Sequence, residues 1–108
     1  YLANKYKDNE NLFLEKLYDI VGAGVNISES VPSAISIAYY AQDPNRCALL
    51  CANLAGDTDT IGAMATAICG AFKGLDYIKE EYVKSLNKAN DIDFDSYISI
   101  LMNGRTCI

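Results

Sequence analysis

Apolar residues recur along this chain at helical spacing, and no stretch shows the strict alternation of a strand. Between Glu10 and Val21, the residues Leu14, Leu17, Tyr18 and Val21 stand at i, i+3, i+4 and i+7, which predicts one helical face, and Gly22 and Gly24 end the helix. A second helix is expected over about Val31 to Ala41. Ser30 is its expected cap, Pro32 falls in its first turn, and Val31, Ile35, Ala38 and Tyr39 form its apolar side. Asp43 caps a third, Pro44 to about Leu54, whose Ala, Leu and Cys content predicts extensive burial. The fourth, Ile61 to Phe72, carries a large-residue stripe of Ile61, Met64, Ile68 and Phe72. Its other side is small, with Gly62, Ala63, Thr66, Cys69 and Gly70, which predicts a central helix closely approached by a neighbour. Glycine disfavours a helix by about 1 kcal/mol relative to Ala, so Gly62 and Gly70 call for a packing reason.

After Gly74 comes a peripheral helix, about Lys79 to Lys88, with Tyr82, Val83 and Leu86 inward. Asp93 then caps Phe94 to Met102, whose apolar face is Phe94, Tyr97, Ile98 and Leu101, before Gly104 stops it. The sum is an all-α fold, a bundle of about five or six helices in one domain spanning residues 1–108 with no repeat or linker.

Composition narrows the function classes. The chain has 108 residues, 51% hydrophobic and 21% charged, as expected of a globular domain. Its formal charge of −5, without a Lys/Arg cluster, offers no electrostatic footprint for nucleic acid or an anionic membrane surface. No run approaches the roughly 20 apolar residues of a membrane span, and Tyr1 to Asn11 is too polar for a signal sequence. Cys47, Cys51, Cys69 and Cys107, in a chain without histidine, read as free thiols packed as small apolar groups, and from that a reducing, cytoplasmic location is expected. The chain starts without Met and almost at once in a helical pattern, which suggests a piece of a longer protein.

The chemistry concentrates in Gly56-Asp57-Thr58-Asp59-Thr60, two carboxylates and two hydroxyls between helices with few charges. Helix capping explains one carboxylate and is worth about 1 to 2 kcal/mol together with the dipole effect. A second carboxylate two residues away adds repulsion of about 1 kcal/mol at close range in water, and a cation would remove it. Magnesium, which favours hard oxygen ligands and retains waters, suits this donor set. The spacing is not that of an EF-hand. On these residues alone, capping and metal binding both stand, with capping the commoner arrangement. Asp91 to Asp95 reads as a solvated turn and cap.

The run Ala55-Gly56-Asp57-Thr58-Asp59-Thr60-Ile61-Gly62-Ala63-Met64-Ala65, continuing through Ala67-Ile68 to Gly70-Ala71, resembles the signature of the ADP-ribosylglycohydrolase family. That family includes the dinitrogenase reductase-activating glycohydrolases and the J1 crystallins. The resemblance extends to Glu29-Ser30-Val31-Pro32-Ser33-Ala34-Ile35 and to Gly74-Leu75-Asp76-Tyr77-Ile78, covering about Val21 to Val83. Lys79, where the family commonly has Pro, and Thr66 and Cys69, where it has small residues, depart at packing positions.

The resemblance implies the C-terminal part of a larger all-α hydrolase that cleaves the glycosidic bond of ADP-ribose conjugates at a dinuclear Mg²⁺ centre. Asp57, Asp59 and Thr60 match its C-terminal metal ligands, with Thr58 a spacer or a group supporting the ligands. The remaining ligands belong to an N-terminal Thr-Asp-Asp motif that this chain does not contain, so the chain alone is expected to be inactive. The catalytic acid or base is not identified. Glu29 and Ser30 are candidate substrate-binding groups, Asn26 has similar standing, and each equally suits a loop or helix start. The alternatives are a non-enzymatic, crystallin-like relative that keeps the fold, and a plain helical domain whose acidic loop only caps. A piece of a larger fold would also expose apolar surface, with self-association as the expected result.

Overall fold

Asp43 shows how directly local chemistry starts a helix here. Its carboxylate accepts the backbone N–H groups of Asn45 at 2.7 Å and Arg46 at 3.1 Å, Pro44 follows at the first helical position, and a helix runs to Leu54 as expected. The computed structural model describes residues 1–104, and among them it contains seven α-helices and no strand. They are α1 (Leu2–Lys5), α2 (Glu10–Ile20), α3 (Ile27–Ala41), α4 (Pro44–Leu54), α5 (Thr58–Lys73), α6 (Glu80–Asn90) and α7 (Phe94–Gly104), with a 3₁₀ turn at Leu75–Tyr77. The fold is all-α, and α1 is the helix that periodicity did not reveal. Among the described residues, no helix is long and apolar enough to cross a membrane. Two compact units make up the described chain, Tyr1–Ile78 and the segment from Lys79 onward.

In the first unit, α5 packs against both α3 and α4. Its buried line is Ile61, Ala65 and Cys69, four residues apart each time, and only Ile61 comes from the expected large stripe. Ile68 and Phe72 are 47% and 69% exposed. The same correction holds on α3, where Ile35 and Tyr39 are exposed and the core takes Ser33, Ala34, Ile37, Ala38 and Ala41. The reason is geometric: small side chains let helix axes come close, so the faces richest in Ala, Ser and Cys turn inward and the bulky residues flank them. Neither Gly62 nor Gly70 shows the packing reason expected of it: a Cβ at Gly62 would make an ordinary 3.5 Å contact with Cys51 Cβ on α4, and one at Gly70 would meet nothing within 4 Å.

Phe13, Leu17, Ile37 and Ile61 are wholly buried, each worth about 1.5 to 3 kcal/mol of transfer free energy. Tyr18, expected inside, is 49% exposed, and Phe13 takes its place. Phe13 stacks on Tyr40 with centroids 4.1 Å apart, and the Tyr40 hydroxyl lies 3.1 Å from the carbonyls of Tyr6 and Lys7, tying α1 to α3. Cys47, Cys51 and Cys69 are free and buried. A hydrogen bond with Cys51 and burial together push the Cys47 thiol far up, so it stays protonated. Cys107 lies outside the described residues.

Two helix starts differ from expectation. The helix expected at Val31 begins at Ile27 with Asn26 at its cap position, so Ser30 is no cap but a buried residue one turn inside, and Pro32 also lies within the helix. In the second unit, Asp93 accepts the Ser96 N–H at 3.3 Å as expected of a cap, and α7 includes Gly104 rather than stopping before it. Tyr82 and Val83 are half-buried, but Leu86 and the α7 residues Phe94, Tyr97, Ile98 and Leu101 are exposed.

Candidate functional site

The acidic segment is placed by backbone before any side chain acts. Leaving α4, the chain passes through Ala55 at φ 70°, ψ −179° and Gly56 at φ 73°. The next N–H, that of Asp57, donates to the Ala23 carbonyl at 2.7 Å, a bond between residues 34 positions apart. Gly56 makes this approach possible, because a Cβ there would sit 2.2 Å from the same carbonyl oxygen. Ala23, itself buried, belongs to the half-buried Gly22–Gly24 turn between α2 and α3. That turn is itself fixed: Gly24 N–H donates to Glu29 Oε2 at 2.7 Å, and the Ser33 hydroxyl donates to the Gly22 carbonyl at 2.7 Å.

On this scaffold Asp57 occupies the cap position of α5, yet its side chain makes no cap hydrogen bond. Its Oδ1 instead accepts the Thr60 hydroxyl at 3.0 Å. Asp59, in the first turn, is exposed, and its carboxyl is held below the usual carboxylate range by a hydrogen bond with Asp57 and then by the backbone N–H groups of Thr60 and Asp59. Asp57 and Thr60 are therefore joined side chain to side chain, Asp59 stands between them in the chain, and Thr58 is half-buried as the first residue of α5.

This is a set of hard oxygen donors beside a helix N-terminus, and its donor chemistry fits Mg²⁺. Two carboxylates and one hydroxyl fill only part of an octahedral sphere. Among the described residues, no group of three or more Cys, Asp or Glu is arranged to hold a metal ion.

Of the other candidates, Glu29 accepts the Gly24 N–H with its carboxylate, Ser30 is only 4% exposed within α3, and Asn26 is exposed at the cap position of that helix. Sequence reasoning missed Ala23 and Ser33. The available signal was Gly22-Ala23-Gly24 itself, a turn in which two glycines flank a residue whose carbonyl is free to reach outward.

The family pattern described as ADP-ribosylglycohydrolase matches residues 2–105. Escherichia coli (strain K12) YegU is 55% identical over 92 residues, which cover 84% of this chain and 28% of YegU. Human ADP-ribosylhydrolase ARH3 is 31% identical over 97 residues, 80% of this chain and 27% of ARH3, and the Danio rerio protein of that name is 31% identical over a similar share. The chain thus spans about a quarter of the length of the curated relatives it matches. No solved structure matches it significantly.

Proposed function

The chain belongs to the ADP-ribosylglycohydrolase family, and on that premise we propose that it forms the acid-bearing part of a hydrolase of ADP-ribose conjugates, in which Asp57, Asp59 and Thr60 are ligands of a dinuclear Mg²⁺ centre. The observation that carries this reading is Asp57, a carboxylate at a cap position that caps nothing. Its oxygen is held instead by the Thr60 hydroxyl, beside a second carboxylate. Such an arrangement leaves the cap hydrogen bond unmade and concentrates negative charge, and a divalent cation would offset that charge.

When bound, the ions supply Lewis acidity toward ribose oxygens and a water of lowered pKa. This chain's residues hold the carboxylates in register, orient Thr60 toward Asp57, and keep the loop against the buried Ala23 turn. The human relative's name, ADP-ribosylhydrolase, supports the substrate class. With only part of a coordination sphere among its described residues, the chain by itself should bind Mg²⁺ weakly and hydrolyse nothing.

Mg²⁺ titration followed by amide NMR, with and without ADP-ribose, tests the proposal. The expected result is a saturable shift confined to residues 56–60 that disappears in the Asp57→Ala, Asp59→Ala double variant. Shifts that are absent, or that survive in the double variant, reject the site.

A further inference from the structure

We infer that Glu29 and Ser33 are positioning residues for the acidic loop, acting through the Gly22–Gly24 turn rather than by touching a ligand. The inference rests on the metal reading above for its purpose, but its geometry stands independently. Both residues belong to α3, one helical turn apart, and so project from the same side of that helix. Glu29 takes the donor at one end of the turn, the Gly24 N–H, at 2.7 Å. Ser33, wholly buried, gives its proton to the acceptor at the other end, the Gly22 carbonyl, also at 2.7 Å. A turn held at both ends by one rigid helix has little freedom left.

Between these two anchors stands Ala23, 3% exposed, whose carbonyl accepts the Asp57 N–H. The connection is therefore a relay of three contacts, each at 2.7 Å, from α3 to the turn and from the turn to the first proposed metal ligand. The glycines mark how close the fit is. A Cβ at Gly22 would lie 2.7 Å from Glu29 Cδ, and one at Gly24 would lie 2.5 Å from Glu29 Oε2. Gly22 in addition has φ 97°. The carboxylate of Glu29 fills the space that the two absent side chains leave. Metal sites depend on the groups that orient their ligands as well as on the ligands, and a displacement of the turn passes directly to the Asp57 backbone.

The competing role for Glu29 is a charge effect, since an acid in the first turn of α3 favours the helix dipole. Reach and charge separate cleanly by substitution. Glu29→Asp keeps the first-turn charge but is a methylene short of Gly24, whereas Glu29→Gln loses the charge but keeps an acceptor at the same distance. Hydrogen exchange of the Asp57 amide, read against the Ala65 amide in the middle of α5, is the measurement.

Positioning predicts that Asp57 exchange rises about tenfold in Glu29→Asp and Ser33→Ala, with Ala65 unchanged, as one weakened hydrogen bond would give. Glu29→Gln should stay near wild type. Overturning results are an unchanged Asp57 in both variants, a rise matched by Ala65, or a loss in Glu29→Gln that Glu29→Asp escapes. In the same samples, Mg²⁺-induced shifts of Asp57 and Asp59 should need several-fold more metal wherever Asp57 exchange has risen. A wild-type chain indifferent to Mg²⁺ would sink the metal reading alone, because the exchange comparison decides the positioning without metal.

Discussion

Two short acidic segments each lead into a helix, Asp57-Thr58-Asp59 into α5 and Asp91-Ile92-Asp93 into α7, and their carboxylates do different work. Asp93 takes the Ser96 N–H, the ordinary duty of a cap, and Asp91 closes the preceding helix α6 at φ 50°. Asp57 stands where a cap should be and takes a side-chain hydroxyl instead. What separates them is the backbone beneath. Asp57 is bonded to the buried Ala23 turn and preceded by a glycine that tolerates no side chain, whereas the segment before α7 is exposed throughout. Residue type alone does not distinguish a cap from a candidate ligand; anchoring does.

The largest expected effect tests that anchoring. Gly56→Ala drives a methyl into the Ala23 carbonyl at positive φ and should cost about 3 kcal/mol or more in urea denaturation. Gly74→Ala, at φ 88° with nothing within 4 Å of the new Cβ, should cost about 1 to 2 kcal/mol from backbone strain alone. Equal losses at the two sites would mean that the Ala23 contact does not hold the loop.

Next in size is the capping comparison. Asp43→Ala removes two backbone hydrogen bonds and should cost about 1 kcal/mol. Asp57→Ala should stay within about 0.5 kcal/mol of wild type, since it removes no cap hydrogen bond. A loss at Asp57 equal to that at Asp43 would make the two acids alike. Acid titration sharpens the same pair. Burial raises Asp43, but the N–H groups of Arg46 and Asn45 outweigh it and hold the carboxyl below its ordinary range. A carboxylate lowered on folding stabilises fully above its unfolded pKa, about 4, and that contribution fades as pH falls through the lowered folded value. Asp43→Ala should therefore remove part of the acid sensitivity seen in stability measured below about pH 4.

The smallest effect lies within the loop. Asp59 is held low first by its hydrogen bond with Asp57, so Asp57→Ala should move the Asp59 titration back up toward the ordinary carboxylate value, read by carboxyl carbon NMR. An unmoved Asp59 would show that the two carboxyls do not interact.

Much of this was legible from one dimension. Asp43-Pro44 announced α4 to the residue, Asp93 announced α7, and the acidic run between two apolar helices marked the candidate site. The helical phase was not, because hydrophobic size points outward on α3 and α5: Ile35, Tyr39, Ile68 and Phe72 look like core, and the core instead runs through Ser33, Ala34, Ala65 and Cys69. Nor was Ala23, since a carbonyl that holds a residue 34 positions away leaves no periodic trace. Ser30 misled for a related reason, resembling a cap beside Pro32 when the helix had already begun at Ile27.

Ala55 gives the loop a mechanical sense. Its φ of 70° with ψ of −179° belongs to backbone space that glycine alone enters without strain, and alanine enters it carrying a methyl group. The tension so stored next to Gly56 acts like a bent spring, and the Ala23 carbonyl is the catch that keeps it bent. Free the catch, and the relaxation of a residue that carries no charge and binds nothing would draw Asp57 away from its neighbours.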